Sequence, residues 1–130
     1  MSVMLFREAN EVKWVGVRPA HKGTQVTKET LANNATVILH TVTSGKTLFL
    51  NLLAGSVRWE GSGRGRIGVR DGSDVVQYYI FEALKGSAQD TIPFIIPFNI
   101  PLEIPAGWDV FLDTNSVSVY IYCFLHGWEE

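Results

Sequence analysis

Short apolar runs alternate with turn residues along this chain, a pattern typical of an all-β protein. Val, Ile and Thr together make up 32 of the 130 residues, and their branched Cβ atoms favour pleated strands. Turn residues recur between the runs, as in Ser44-Gly45, Asp71-Gly72 and Ala106-Gly107. The pattern predicts eight strands, which cover residues 12–18, 36–43, 47–58, 65–70, 75–84, 92–104, 109–113 and 117–126.

Residues 22–34 form the one long polar stretch, and we interpret them as a loop or a single helical turn. Strands at this spacing, with no helical pattern between them, predict a β-sandwich or a barrel. The chain shows no internal repeat and no linker, so a single domain is expected.

The run from Phe94 to Ile104 alternates clearly between two faces. The apolar face consists of Phe94, Ile96, Phe98, Ile100, Leu102 and Ile104, and it is expected to face the core. Pro97 and Pro101 have no N–H to donate to a neighbouring strand. The strand is therefore predicted to be a sheet edge, or to bend between two sheets.

The last strand has two unlike faces. One is an ordinary core face, with Val117, Val119, Ile121, Cys123 and Leu125. The other is an aromatic stripe, which we define as Tyr120, Tyr122, Phe124, His126 and Trp128. Aromatic residues with a polar end are enriched at interfaces. The stripe is our candidate interface with another subunit or a ligand, and the alternative is that a loop or the N-terminal arm of the same chain covers it.

Four arginines, Arg58, Arg64, Arg66 and Arg70, lie close together in the sequence. They indicate either a solubilising hairpin or a patch that docks on an acidic protein surface or a phosphate. The glycines among them, from Gly61 to Gly65, precede a strand-like pattern and not a helix. They therefore fit a hairpin tip better than a phosphate-binding loop.

No recognisable catalytic or metal-binding motif occurs in the chain. The three histidines, His21, His40 and His126, are scattered, and Cys123 is the only cysteine. We therefore expect no catalytic residues, no cofactor and no metal, and we interpret Cys123 as a small buried residue. Enzymes of the cupin class have a jelly-roll barrel with clustered histidines. That cluster is absent here, so a cupin-like enzyme ranks third, far behind the two non-enzymatic hypotheses given below.

The composition of the chain limits the kinds of partner that it can bind. Charged residues make up 18% of the chain and the net charge is −2, so neither specific nucleic acid binding nor attraction to a membrane is expected. No apolar run reaches the length of a membrane span, and residues 1–14 do not read as a signal peptide. We expect a protein that is made in a cytoplasm and stays soluble.

From about residue 36 onward, the order of several short motifs is familiar. These segments are Val42 to Leu50 (VTSGKTLFL), Arg66 to Gly72 (RIGVRDG), Phe98 to Gly107 (FNIPLEIPAG) and Tyr120 to Glu130, which ends in Gly-Trp-Glu-Glu. Together they resemble small jelly-roll proteins of tailed bacteriophage particles, such as capsid decoration or cement proteins and tail-associated modules.

This resemblance implies an antiparallel jelly-roll β-sandwich of about eight strands with an N-terminal arm. Residues 1–35 would form the arm and a first strand that packs on or beside the domain, and residues 36–130 would form the jelly-roll core.

The leading functional hypothesis is a non-enzymatic structural protein of the virion. It would self-associate as a homotrimer and dock on other virion proteins, such as a major capsid protein. The alternative is a β-sandwich module that binds a carbohydrate or a receptor, with Tyr120, Tyr122 and Trp128 stacking on sugar rings.

Overall fold

The computed structural model of the chain describes residues 23–86 and 89–130. These residues form strands and turns. The strands are β1 (Thr24–Asn33), β2 (Thr36–Thr41), β3 (Leu48–Trp59), β4 (Gly63–Arg70), β5 (Val76–Lys85), β6 (Asp90–Ile104), β7 (Asp109–Thr114) and β8 (Val119–Glu129). The seven predicted strands from residue 36 onward are confirmed, with ends that differ by at most three residues. The predicted strand at residues 12–18 lies outside the described part of the chain.

The strands form two antiparallel four-stranded sheets. The first sheet has the order β1-β8-β3-β6 and the second the order β2-β7-β4-β5. The pairs β1–β8, β2–β7, β3–β6 and β4–β5 are those of one long hairpin that turns between β4 and β5 and is then rolled up. This is the arrangement of a jelly roll, so the predicted fold class is confirmed.

The expectation of a loop or helical turn at residues 22–34 is wrong, because Thr24–Asn33 is strand β1 and pairs with β8 along its whole length. The stretch looks polar because β1 is an edge strand with few buried positions. Val26 and Ala32 point inward and are buried, whereas Lys28, the register partner of core residue Leu125, is exposed. An inward-pointing lysine on an edge strand discourages pairing with another chain.

The core lies between the two sheets. On β8 its contribution is Val119, Ile121, Cys123 and Leu125, all fully buried, as the alternation predicts. Val117, predicted on the same face, is 65% exposed. It precedes the strand and lies in a turn, so strand alternation does not apply to it.

Strand β6 is the edge of the first sheet, as its prolines predict. Its pairing with β3 is interrupted, because Leu50 pairs with Leu102 but Leu52 pairs with Pro97. Residues 98–101 therefore bulge out of the ladder.

The bulge corrects one core assignment. Phe94 and Ile104 are buried, and Phe98 and Leu102 pack half-buried against the core, but Ile100 is 86% exposed. A bulge inserts residues that the partner strand does not match, so the two-residue period cannot be continued across it.

No helix long and apolar enough to cross a membrane occurs in the described ranges. The predicted division of the chain at residue 35 stays a prediction, since residues 1–22 lie outside those ranges.

Candidate functional site

The aromatic stripe lies on β8, which is an inner strand of the first sheet, and it belongs to the outer face of that sheet. Strand β8 has β1 on one side and β3 on the other, so each stripe residue has neighbours on both flanks. Because β8 alternates regularly, its core residues point inward and Tyr120, Tyr122, Phe124 and His126 point outward, half-buried.

The two tyrosines are held by charged neighbours. The guanidinium of Arg58 lies 4.2 Å from the centre of the Tyr120 ring, a cation–π contact. The Tyr122 hydroxyl donates a hydrogen bond of 2.6 Å to Glu29 Oε1 on β1. This bond holds the proton on the phenol and raises the pKa of Tyr122 above its ordinary value.

His126 bridges the side chains of two neighbouring strands. Its Nε2 lies 3.1 Å from Gln25 Nε2 and its Nδ1 lies 3.3 Å from Asn51 Nδ2. A neutral imidazole has one donor and one acceptor nitrogen, so one of the two amides must turn its oxygen toward the ring. His126 thus serves to tie β1, β8 and β3 together.

Trp128 is nearly buried, with 6% of its surface exposed. Its ring stacks on Phe49, with centroids 5.4 Å apart and planes 14° apart. Its Nε1 donates a hydrogen bond of 2.7 Å to Glu130 Oε2. A ring covered in this way offers little face for a sugar to stack on.

An apolar band crosses the outer face of the first sheet, made of Phe124, Ala54 and Ile95. Ala54 on β3 is the register partner both of Phe124 on β8 and of Ile95 on β6, so the three side chains are neighbours on one face. Ile95 is 74% exposed, and Phe124 and Ala54 are half-buried. Phe124 is the one stripe residue whose side chain has no polar atom, so the band is the apolar part of this face.

The four arginines do not form one patch. Arg58 is on β3 in the first sheet, beside Tyr120, and its guanidinium pairs with Glu60. Arg64, Arg66 and Arg70 alternate along β4 in the second sheet.

The arginines of β4 have carboxylate partners on the neighbouring strands. Arg66 places two nitrogens 2.7 and 3.2 Å from Asp113 Oδ2. Arg70 makes two bonds of 3.0 Å to the two oxygens of Asp109, which raises the pKa of Arg70. Arg64 lies 3.7 Å from Glu82. The charge that a docking patch would use is therefore largely compensated within the chain.

A buried pair that joins the two sheets was not found from the sequence. His40 Nε2 on β2 lies 2.7 Å from Glu129 Oε2 on β8, and the backbone N–H of Thr43 donates to the same oxygen over 3.1 Å. Burial alone would raise the pKa of Glu129, but hydrogen bonds from Thr43 and His40 lower it. Residues 89 positions apart give no local spacing signal, so only the topology reveals the pair.

In the part of the chain that the structure describes, no three His, Cys, Asp or Glu side chains come together as possible metal ligands. A pocket at one end of the sandwich is lined by Arg58, Trp59, Glu60, Gln89, Asp90 and Thr91. Its Trp59 is structural, because the ring is buried and its Nε1 donates to Gly63 O.

Comparisons with known proteins give weak likenesses. No protein-family model matches the chain, and no curated protein matches it either. One solved structure, of a pentameric capsid protein isolated from metagenomic phage sequences, is 19% identical with a TM-score of 0.39, over 80% of this chain and 59% of that one. A second, of a pentameric capsid protein from the same kind of source, is 14% identical with a TM-score of 0.44, over 100% of this chain and 83% of that one. Scores this low support no inference, so the fold assignment rests on the strand order.

Proposed function

We propose that this chain is a non-enzymatic structural protein of a bacteriophage particle, a jelly roll that self-associates and docks on other virion proteins. The main support is the apolar band of Phe124, Ala54 and Ile95 on the outer face of the first sheet. Ile95 in this band is 74% exposed, and protein interfaces bury apolar side chains at their centre.

The aromatic stripe contributes to this surface, with Phe124 at its centre. In interfaces, central aromatic residues dominate the binding energy and the polar residues around them exclude water. Tyr122 and Tyr120 would supply the rim, since their polar or charged contacts are already formed within the chain. Little rearrangement would then be needed on binding, which lowers its entropic cost.

A sugar-binding role fits this face less well. Stacking on a sugar needs open aromatic faces beside unpaired polar groups. Trp128 is stacked on Phe49 and Tyr120 is covered by Arg58, so two of the three proposed stacking residues are already occupied.

The placement in a phage particle rests on the resemblance of the chain's motifs to small virion proteins and on its jelly-roll strand order. The proposed partners are two further copies of the chain, in a homotrimer, and a major capsid protein. The arginines of β4 remain candidates for docking on an acidic partner, which would have to share Arg66 or Arg70 with its internal carboxylate.

The test is the double variant Phe124→Asp with Tyr122→Ser. Light scattering should give an oligomer for the wild type, three times the 14.5 kDa chain for a trimer, and a smaller mass for the variant. Circular dichroism should stay β-rich. A control, Ile38→Asp, changes a side chain on β2 that is 49% exposed and should leave the mass unchanged.

The remaining outcomes separate the alternatives. Unchanged mass and particle binding with lost glycan binding would replace the proposal with the carbohydrate module. Unfolding of the double variant would mean that the stripe is internal to the chain.

A further inference from the structure

Strand β1 is an edge of the first sheet, and its inward face is only partly covered. Lys28 and Thr30 are the register partners of Leu125 and Cys123 on β8, so they point toward the same side of the sheet as these two core residues. Leu125 and Cys123 are fully buried, whereas Lys28 is exposed and Thr30 is half-buried. The core is therefore closed at β8 and open one strand further out.

The free side of β1 can accept a further strand. Within residues 23–86 and 89–130, β1 pairs with β8 on one side and with no strand on the other. Alternate residues of such an edge strand point their N–H and C=O groups away from the sheet. Its 10 residues, Thr24–Asn33, include no proline, so the ladder on the free side is not interrupted as it is on β6.

Lys28 restricts what can pair there. An aliphatic side chain opposite Lys28 would bury the ammonium group without a partner, which is costly. An aromatic ring can take that position, because a cation is attracted to the face of the ring. The edge thus rejects most strands of other proteins and suits a strand with an aromatic residue opposite Lys28.

The chain enters β1 through a bend at Gly23, directly before the strand. Gly23 lies against the end of β8, where a Cβ atom would be 1.9 Å from Glu129 O, so no residue with a side chain fits. The segment before this bend starts beside the first residue of β1. A short loop is enough to bring that segment back along the edge.

Residues 12–18 (VKWVGVR) have the alternation of an edge strand and include an aromatic residue. Pro19 has no N–H to donate and favours an extended conformation at Arg18, so a ladder would end at Arg18. This leaves residues 19–23 as a loop of five residues, which is an ordinary length for a hairpin connection.

The loop sets the register of the pairing. Arg18 and Thr24 flank the loop and would pair first, and four steps further along the hairpin Trp14 lies opposite Lys28. The next step places Lys13 opposite Glu29 on the outward face, a pair of opposite charges. A shift of one residue in either direction would turn Lys13 toward the core instead.

We propose that residues 12–18 form a further strand that pairs with the free edge of β1 in the same chain, with the Trp14 ring covering the open core beside Lys28. The five-residue loop spans at most about 17 Å, which favours the chain's own β1 over that of a second copy. The inference goes beyond the proposed function, because it concerns how one subunit completes its own sheet.

The first test is a cross-link in the full chain. Val15→Cys and Thr27→Cys would be register partners on the outward face, and mild oxidation should join them within one chain. The control is Val15→Cys with Val117→Cys, since Val117 is 65% exposed and lies in the turn before β8, at the far end of β1. Peptide mapping should show the first disulfide forming at least 10-fold faster than the control disulfide.

The second test is hydrogen exchange, which needs no variant for its main result. Amides of residues 12–18 in the wild type should be protected, because paired strands exchange slowly. Trp14→Ser should speed the exchange of the β1 amides at least 10-fold. Phe6→Ser, the matched change outside the predicted strand, should leave it unaltered.

The results separate this inference from the proposed function. Wild-type amides in residues 12–18 that exchange as fast as an unfolded peptide would show the inference to be wrong, even if the cysteine variants fail to fold. A disulfide that joins two chains would place the strand on a second copy and would also overturn it. The mass of the wild type by light scattering tests self-association independently of both results.

Discussion

Glu129 Oε2 on β8 lies 2.7 Å from His40 Nε2 on β2, and this contact links the first sheet to the second. Both side chains are nearly buried, with 7% and 10% of their surfaces exposed. Buried acids need such partners, because an unpaired carboxylate in the interior is costly.

Stability should therefore fall in acid. The pKa of Glu129 in the folded chain is lowered from its ordinary 4.5, so its contribution is full above pH 4.5 and is lost as the pH falls through the folded pKa. Urea unfolding should show that the free energy of unfolding falls less between pH 7 and pH 3 for Glu129→Gln than for the wild type. At pH 7 the variant should cost about 1–3 kcal/mol.

The control for this prediction is Glu103→Gln, on the exposed face of β6. It should behave like the wild type at both pH values. Parallel pH profiles for Glu129→Gln and the wild type would contradict the assigned role of the pair.

The buried arginine pairs should matter more than the exposed one. Arg70→Met leaves Asp109, only 4% exposed, without its bidentate partner, and breaking a buried pair costs about 3–5 kcal/mol. Arg58→Met removes an exposed pair with Glu60, worth about 0–1 kcal/mol. Denaturant unfolding of the two variants checks this contrast. Equal losses in the free energy of unfolding would show that the Arg70–Asp109 pair does not stabilise the fold more than the exposed pair does.

The bulge in β6 predicts that truncating Ile100 costs far less stability than truncating a core residue. Leu125→Ala removes a fully buried side chain and should cost about 2–5 kcal/mol. Ile100→Ala removes an exposed one and should change the free energy of unfolding of the isolated subunit by less than about 0.5 kcal/mol. A large loss of unfolding free energy for Ile100→Ala in the monomer would mean that Ile100 is part of the core.

Cys123 should be inert in the folded protein. Burial raises the pKa of its thiol to about 12, and the thiolate is the reactive form. A thiol reagent at pH 8 should label it slowly in buffer and rapidly in guanidinium, with one thiol titrated per chain. Rapid labelling in buffer would mean that β8 opens readily.

The strands that the sequence predicts correctly are those with a regular apolar period, such as β3 and β8. β1 was missed because it is an edge strand whose inward positions include Lys28. Its only strand signal is its β-branched residues, which are Val26 and the threonines at positions 24, 27 and 30. The misassignment of Ile100 has a different origin. Local alternation cannot register a bulge that depends on the pairing with β3.

The candidate site was predicted in part. The position of the stripe on one face of one strand follows from alternation. The partners of its polar groups do not, because Glu29 and Arg58 reach the stripe from other strands. The same holds for the arginines of β4, whose carboxylate partners lie on other strands. Arg70 and Asp109, for example, are 39 positions apart in the sequence. Ion pairs between strands are a property of topology and leave no mark in spacing.

The position of β8 also bears on how the chain folds during synthesis. β8 is the last strand along the chain, yet it lies between β1 and β3 in the first sheet. Until it is made, β1 lacks the strand that it pairs with in the described sheet, and the buried faces of β3 and the second sheet remain partly uncovered. Contacts between strands so distant in sequence form slowly. Assembly of the sandwich must therefore wait until residues 119–129 have been synthesised, and a ribosome stalled before residue 119 would hold a nascent chain with an incomplete sheet.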